Sequence, residues 1–151
     1  DTAIFYSHWS YAAIYLGVLI SYYKDKKRLQ RSLGLSDDSF ERAFRFLVDK
    51  GLLVETPQLK PGATTIFIGK DESILRAHHA NWRLKAVQSL DQELPSDLHF
   101  TSLFSMSRKD SQKIREILVS ELKKIRETVK NSADEELHLL GVDFFRVDRT
   151  S

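Results

Sequence analysis

The apolar positions between residues 24 and 68 change their spacing twice, which predicts two helices followed by a β-hairpin. Leu29 and Leu33 stand four residues apart, as on one face of a helix, and Gly34 is a typical residue for the end of that helix. Ser36 is a favoured N-cap residue for the second helix. The predicted buried face of the second helix has helical spacing and comprises Phe40, Phe44, Leu47 and Val48.

Two short apolar runs follow the second helix and predict the strands of the hairpin. They are Leu52–Val54 and Thr64–Ile68, and the Pro61-Gly62 pair between them is typical of a turn. Helix, helix and hairpin in this order form the plan of the winged helix-turn-helix, which places its second helix in the major groove of DNA.

Ahead of this segment, the run from Ala12 to Ile20 is strongly apolar. A transmembrane helix needs about 20 such residues, so this run is too short to span a bilayer. We interpret it as a buried helix and expect no association with a membrane.

A third long helix is predicted from Asp71 to about Leu94, where Pro95 breaks the pattern. Its apolar positions recur with helical spacing, which indicates a helix with one buried face. The residues of that face are Ile74, Leu75, His78, Trp82, Ala86, Val87 and Leu90.

The last third of the chain predicts a strand-helix-strand unit. His99–Ser105 and Leu137–Val147 are short runs rich in residues that favour strands. Between them, a capping pattern at Ser107 opens the clearest helical pattern of the chain, Lys109–Asn131. Its predicted buried face comprises Ile114, Ile117, Leu118, Leu122, Ile125 and Val129.

These elements predict an α+β fold, a winged helix-turn-helix with a following long helix and a strand-helix-strand unit. We divide it into residues 1–70, with the apolar helix and the winged helix-turn-helix, and residues 71–151, a sensor or dimerisation unit. Two parallel strands alone make a poor sheet and leave exposed edges. We therefore expect either a partner strand from the hairpin or a homodimer.

The composition limits the class of protein but does not indicate a function. The 151 residues are 42% hydrophobic and 29% charged, which is typical of a globular protein with one ordinary domain or a small domain with an appendage. The chain has no cysteine, which excludes disulfides and thiolate metal sites and suits the reducing cytoplasm. The net charge is only +2, so any footprint for nucleic acid must be local.

Five segments together resemble one uncharacterised bacterial winged-helix domain family, which forms the C-terminal part of predicted transcriptional regulators. The segments are FYSHWSYAAIYLGVLI, FRFLVDKGLLVE, LRAHHANWRLKAVQSLD, HFTSLFSMSRKDSQKIREIL and LLGVDFFRV. The resemblance covers about Ile4 to Val147 and rests on structural positions, none of them catalytic. It implies a fold and a regulatory role rather than a reaction. It also leads us to expect a further N-terminal segment ahead of Asp1, itself resembling a helix-turn-helix.

The candidate DNA-contacting residues are basic or polar side chains of the two helices and the hairpin. Residues 24–31 hold five basic residues and one acidic residue, and the second helix carries two arginines away from its apolar face. Such side chains can contact phosphates, and arginine can read guanine. The candidates are Lys26, Lys27, Arg28, Arg31, Ser39, Arg42, Arg45 and Lys60.

A solvated surface is the alternative interpretation of these charges. The second helix has three basic residues against four acidic ones, and Asp37 and Asp38 lie at the end where phosphates would be repelled. Winged helices also serve as protein-interaction modules.

An excess of aromatic residues suggests a candidate effector pocket for a small molecule. Its lining would comprise Tyr6, Trp9, Tyr11, His78 and Trp82. Core packing is the simpler interpretation of the same residues.

The sequence predicts no metal site, cofactor or catalytic activity. His78 and His79 are adjacent on a helix and face different directions, so a hydrogen-bonded core histidine is favoured over a metal ligand. No nucleophile motif, P-loop or dinucleotide-binding glycine pattern occurs.

Two functions therefore stand. The first is a cytoplasmic transcriptional regulator whose winged helix binds DNA. The second is a sensor, dimerisation or protein-interaction domain in which the winged helix is a scaffold and an N-terminal segment binds DNA.

Overall fold

The computed structural model describes residues 1–149, and these residues form an α+β fold, as predicted. Six α-helices and one two-stranded antiparallel sheet are present in that part of the chain. In chain order the elements are α1 (Thr2–Phe5), α2 (Trp9–Gly17), α3 (Lys26–Leu33), α4 (Asp37–Asp49), β1 (Leu53–Val54), β2 (Lys60–Pro61), α5 (Glu72–Ser89) and α6 (Arg108–Lys130), with 3₁₀ turns at Ser21–Tyr23 and Leu90–Gln92.

The chain divides into two units. The first comprises residues 1–92 with residues 134–141, and the second comprises residues 93–133 with residues 142–149 of the described part. The helix α5 therefore belongs with the elements that precede it, whereas α6 belongs to the second unit.

Capping side chains define the ends of α3 and α4. Asp25 begins α3, since one of its carboxylate oxygens accepts a hydrogen bond of 3.0 Å from the Lys27 N–H. Gly34 ends α3 with a φ of 63°, a left-handed conformation that glycine adopts without steric cost. Ser36 caps α4, and its Oγ accepts a hydrogen bond of 3.3 Å from the Ser39 N–H. The predicted stop at Gly34 and start at Ser36 are thus confirmed.

The hydrophobic core lies where α2, α3, α4 and the hairpin meet. Its buried side chains include Ile14 of α2, Leu29 of α3 and Leu47 of α4, none with measurable exposure. Phe40 and Phe44 stack on each other in α4 with ring centroids 5.6 Å apart. The face predicted for α4 is confirmed, except that Val48 is only half-buried.

The hairpin differs from the prediction in its second strand. Leu53 pairs with Pro61 and Val54 with Lys60, so the turn lies between residues 55 and 59 rather than at Pro61-Gly62. The predicted strand at Thr64–Ile68 is wrong, since this segment forms no ladder. Chain pairing continues past Pro61 only through the Gly62 and Thr64 N–H groups, which donate to the carbonyl oxygens of Leu52 and Gly51.

The apolar run near the N-terminus forms a shorter helix than predicted. The helix α2 ends at Gly17, and the chain then turns, yet Val18 and Ile20 beyond it remain buried. The run is thus part of the core, as predicted, although its last three residues are not helical. No helix of the described residues is long and apolar enough to cross a membrane.

The long helices of the second half are confirmed, although α5 ends at Ser89 rather than near Leu94, but the strands are not. The helix α6 begins after Ser107, whose Oγ accepts a hydrogen bond of 3.0 Å from the Asp110 N–H. Segments 99–105 and 137–147 form no strand, so the predicted strand-helix-strand unit is wrong for the described chain. Their alternation favours strands, but a strand needs a ladder with a neighbouring strand, and neither segment forms one among the described residues.

The apolar faces predicted for α5 and α6 are present but not buried. No side chain of either helix is buried, and Val87 and Leu90 of α5 are 62% and 54% exposed. In α6, Ile117 and Val129 are similarly exposed. In α5 and α6, helical spacing therefore predicted the helices correctly but predicted more burial than the structure shows, since residues such as Ile74 and Trp82 are only half-buried.

Candidate nucleic-acid interface

The helix α4 presents two arginines on the side opposite its buried face. Its core face is fixed by Phe40, Phe44 and Leu47, so helical geometry turns residues 42 and 45 outward. Both arginines are exposed. The structure thus brings them together on one surface, as the spacing predicted.

The two arginines differ in their surroundings. The Arg45 side chain is 79% exposed, and its Nε lies 3.6 Å from the Glu41 carboxylate one turn earlier. Arg42 makes no ion pair with any residue that the structure describes. An exposed pair of this kind contributes little to stability, so both guanidinium groups can turn to another anion at small cost.

Lys26 makes contacts within the fold that its charge alone did not predict. Its Nζ lies 2.8 Å from the Glu41 carboxylate, 3.7 Å from the Glu55 carboxylate and 4.1 Å from the centroid of the Phe44 ring. These contacts tie the start of α3 to α4 and to the hairpin. Lys26 therefore acts as a link within the fold rather than as a free cation.

The other basic residues of α3 lie at its surface. Lys27, Arg28 and Arg31 are all exposed. The Arg28 guanidinium lies 5.1 Å from the centroid of the Tyr22 ring and 4.0 Å from the Asp25 carboxylate. The Arg31 Nε donates a hydrogen bond of 3.3 Å to the Lys27 carbonyl oxygen.

Ser39 and Lys60 complete the predicted set. The Ser39 Oγ accepts a hydrogen bond of 3.0 Å from the Ser36 Oγ, so Ser39 takes part in the cap of α4. Lys60 is exposed on β2, beside the turn of the hairpin. The acidic start of α4 is also on the surface, where Asp38 is exposed and Asp37 accepts a hydrogen bond from the Gln30 amide.

A groove of about 420 Å³ lies beside this surface, between the start of α3, the middle of α4 and the hairpin turn. Sequence reasoning did not identify it, because its residues come from three distant segments. It carries both signs of charge, so it is not simply an anion site. The lining residues are Lys24, Asp25, Lys26, Phe44, Glu55, Pro57, Gln58 and Leu59.

The aromatic residues of the candidate effector pocket fall into two groups. The rings of Tyr6 and His78 meet edge to face with centroids 5.1 Å apart, and those of Trp9 and Trp82 lie 6.4 Å apart. Tyr11 is instead buried in the core, edge to face with Phe46 at 5.3 Å. The four clustered rings enclose no space for a water molecule. An effector site there stays a prediction, and it would require these rings to move.

Polar groups around the aromatic cluster respond to its burial. Burial lowers the pKa of His78, with smaller effects from His79 and Arg83, and burial raises the pKa of Tyr6. The Asn81 side-chain amide donates a hydrogen bond of 3.0 Å to the Tyr6 carbonyl oxygen. His78 is thus a partly buried packing residue. No group of histidine, aspartate and glutamate side chains among the described residues could hold a metal ion.

Lys85 also belongs to this cluster, although the sequence did not indicate it. Its Nζ lies 4.0 Å from the centroid of the Trp9 ring, within the range of a cation–π interaction. Burial and the charge of Lys85 together lower the pKa of His8. The only sequence signal for this contact was the apolar spacing of α5, which places residues 78, 82 and 85 on neighbouring turns.

These observations define a class: an α+β domain of helices and one small hairpin, with an arginine-bearing helix surface. The chain belongs to the family described as Domain of unknown function (DUF4423), whose model matches residues 1–147. This confirms the resemblance to an uncharacterised domain family. Comparisons with curated proteins and with solved structures found no match.

Proposed function

We propose that this chain is a domain of a transcriptional regulator that binds duplex DNA through α4 and the hairpin, as a winged helix-turn-helix does. The observation that carries the proposal is the outward placement of Arg42 and Arg45 on α4, with the hairpin following directly. A helix that packs on one face and offers arginines on the other can enter a major groove.

The charges of α4 limit which part of the helix would meet DNA. Asp37 and Asp38 occupy its first turn, and carboxylates there would repel phosphates. Contacts would therefore come from the middle of the helix. Lys27, Arg28 and Arg31 of α3 and Lys60 of the hairpin would hold the flanking phosphates, whereas Lys26 is engaged within the fold. The proposal includes a cytoplasmic location and no catalytic role.

The proposal is tested by the fluorescence anisotropy of labelled random-sequence duplex DNA across a salt series. If the arginines contact phosphates, the affinity of the wild-type protein falls steeply with salt, and R42A/R45A lowers the magnitude of that slope by about two. The control is R76A/R108A, which removes the same charge from exposed positions elsewhere. No binding at low salt, or equal losses in both double variants, would overturn the proposal.

A second candidate function is a dimerisation domain in which the hairpin and its helices are a scaffold. The observation that favours it is the absence of any buried residue in the described part of the second unit. Such a unit needs a partner to cover its apolar side chains. The two functions are compatible, since many DNA-binding domains act as dimers.

A further inference from the structure

Buried residues occur only in the first part of the described chain. All buried residues lie between Phe5 and Leu59, and none occurs from Lys60 to Arg149. A globular domain normally buries apolar residues along most of its length, because burial is the main favourable term in folding. More than half of the described chain therefore lacks a core of its own.

The second unit contains many large apolar side chains of the kind found in a hydrophobic core, but they are exposed to solvent. Leu98, Phe100 and Leu103 are 90%, 78% and 82% exposed. On α6 the apolar stripe is only partly covered, since Ile114, Leu118 and Leu122 are half-buried and its other members are exposed. Further large apolar side chains exposed in this unit are Phe104, Ile117, Ile125, Val129, Phe145 and Val147.

The accessible surface area of the chain is larger than expected for a folded monomer of its mass. The chain exposes 11998 Å² at a mass of 17.5 kDa. A folded monomer of that mass exposes about 7,900 Å², so the excess is about 4,000 Å². Obligate homodimers bury about 2,000–5,000 Å² in total, counted over both chains. Two copies carry this excess twice, about 8,000 Å² counted over both units of each chain, so an obligate interface would cover part of it.

We propose that a second copy of this chain covers the apolar surface formed by residues 98–106, the apolar stripe of α6 and residues 144–147. This inference rests on the proposed dimerisation role and is independent of DNA binding. Every copy carries the same apolar surface, and a two-fold symmetric pair covers that surface on both copies at once. The exposed side chains named above are large and apolar, as those at the interfaces of obligate homodimers are.

The segment before α6 has the alternation of a strand that pairs with another chain. Leu98, Phe100, Phe104 and Met106 share one parity of an extended chain, so they would line one face of a strand. No β-ladder involves this segment among the described residues. Chain segments with such alternation pair readily with another chain, and the second copy supplies segments of the same pattern.

The test is the sedimentation equilibrium of the full chain over a wide range of concentrations, without DNA. The wild-type protein is expected to be a dimer, and Phe100→Asp is expected to raise the dissociation constant at least about a hundredfold, because a buried aromatic anchor is replaced by an unpaired charge. The matched control is Phe67→Asp, since Phe67 is 79% exposed but lies in the first unit. It is expected to remain a dimer.

A second variant and a melting measurement distinguish loss of the dimer from loss of the fold. Ile117→Asp on α6 is expected to act as Phe100→Asp does, and thermal melting of each variant at high dilution checks that the core of residues 5–59 is intact. A wild-type protein that is monomeric at all concentrations would overturn the proposal, whether the surface is closed within one chain or awaits a different partner. Equal effects of the Phe67 and Phe100 variants would also overturn it. None of these outcomes bears on the salt dependence of DNA binding.

Discussion

At the scale of single residues, the closest approach in the hairpin occurs at Gly62. Its N–H donates a hydrogen bond of 2.7 Å to the Leu52 carbonyl oxygen. A Cβ atom at this position would lie 1.9 Å from the Gly51 carbonyl oxygen, a backbone atom that cannot move without disturbing the end of α4. Only glycine allows the two chains to approach this closely.

Replacing Gly62 by alanine is therefore expected to lower the free energy of unfolding by about 1–3 kcal/mol or more, through overpacking. Urea denaturation of the purified variant measures this. The control is Gly141→Ala, where the nearest atoms to an added Cβ lie 3.7 Å away in the Arg83 side chain. Equal stability of the two variants would mean that the hairpin is not held in this register.

Single residues of the candidate interface were predictable to different degrees. The outward direction of Arg42 and Arg45 follows from the helical period of α4 alone. The engagement of Lys26 does not, because its partners Glu41 and Glu55 are close only after α3, α4 and the hairpin have packed. A count of basic residues in the sequence therefore treats Lys26 as an unpaired cation.

At the scale of elements, local signals fixed the ends of helices with good accuracy. Ser36, Gly34 and Ser107 have the cap geometries that their residue types favour, since each satisfies orphan backbone groups or adopts a left-handed turn. These interactions span three or four residues, so they are complete within the sequence window that predicts them.

The cap of α4 gives a prediction at this scale. Ser36→Ala removes the oxygen that accepts the Ser39 N–H, so we expect the free energy of unfolding to fall by about 1 kcal/mol. The control is Ser120→Ala in the interior of α6, which caps nothing and should cost little, because alanine is the better helix former. Thermal unfolding followed by circular dichroism compares them, and equal shifts would argue against the cap.

Strands were predicted less well than helices for a physical reason. The hydrogen bonds of a helix lie within the segment, whereas those of a strand lie with a neighbour. Thr64–Ile68 lacks that neighbour because the chain pairs through Lys60–Pro61 instead. Segments 99–105 and 137–147 form no β-ladder within the described chain.

At the scale of the whole molecule, stability is concentrated in the first part of the chain. Leu47 of α4 is completely buried, whereas Leu84 of α5 is 64% exposed. Leu47 lies on the apolar face predicted for α4, whereas Leu84 lies off the face predicted for α5, so the sequence already favoured Leu47 as the core residue.

We therefore expect Leu47→Ala to lower the free energy of unfolding by about 2–5 kcal/mol, through lost burial and the resulting cavity. Leu84→Ala is expected to change it by less than about 1 kcal/mol. Urea unfolding at a low and a high protein concentration measures both. A large loss at Leu84 that is independent of concentration would indicate a second core within one chain.

The sequence by itself determined where α3, α4, α5 and α6 form, the caps at Gly34, Ser36 and Ser107, the α+β class and the outward arginines of α4, because each depends on contacts between residues close in the chain. Only the tertiary structure decided which apolar faces are buried, where the hairpin pairs and which lysine is engaged. These features depend on free energy gained between distant segments, and no local spacing records which segments meet. The uncovered faces of α6 and its flanking segments are the clearest case, since a pattern typical of a core is present and the chain itself does not bury it.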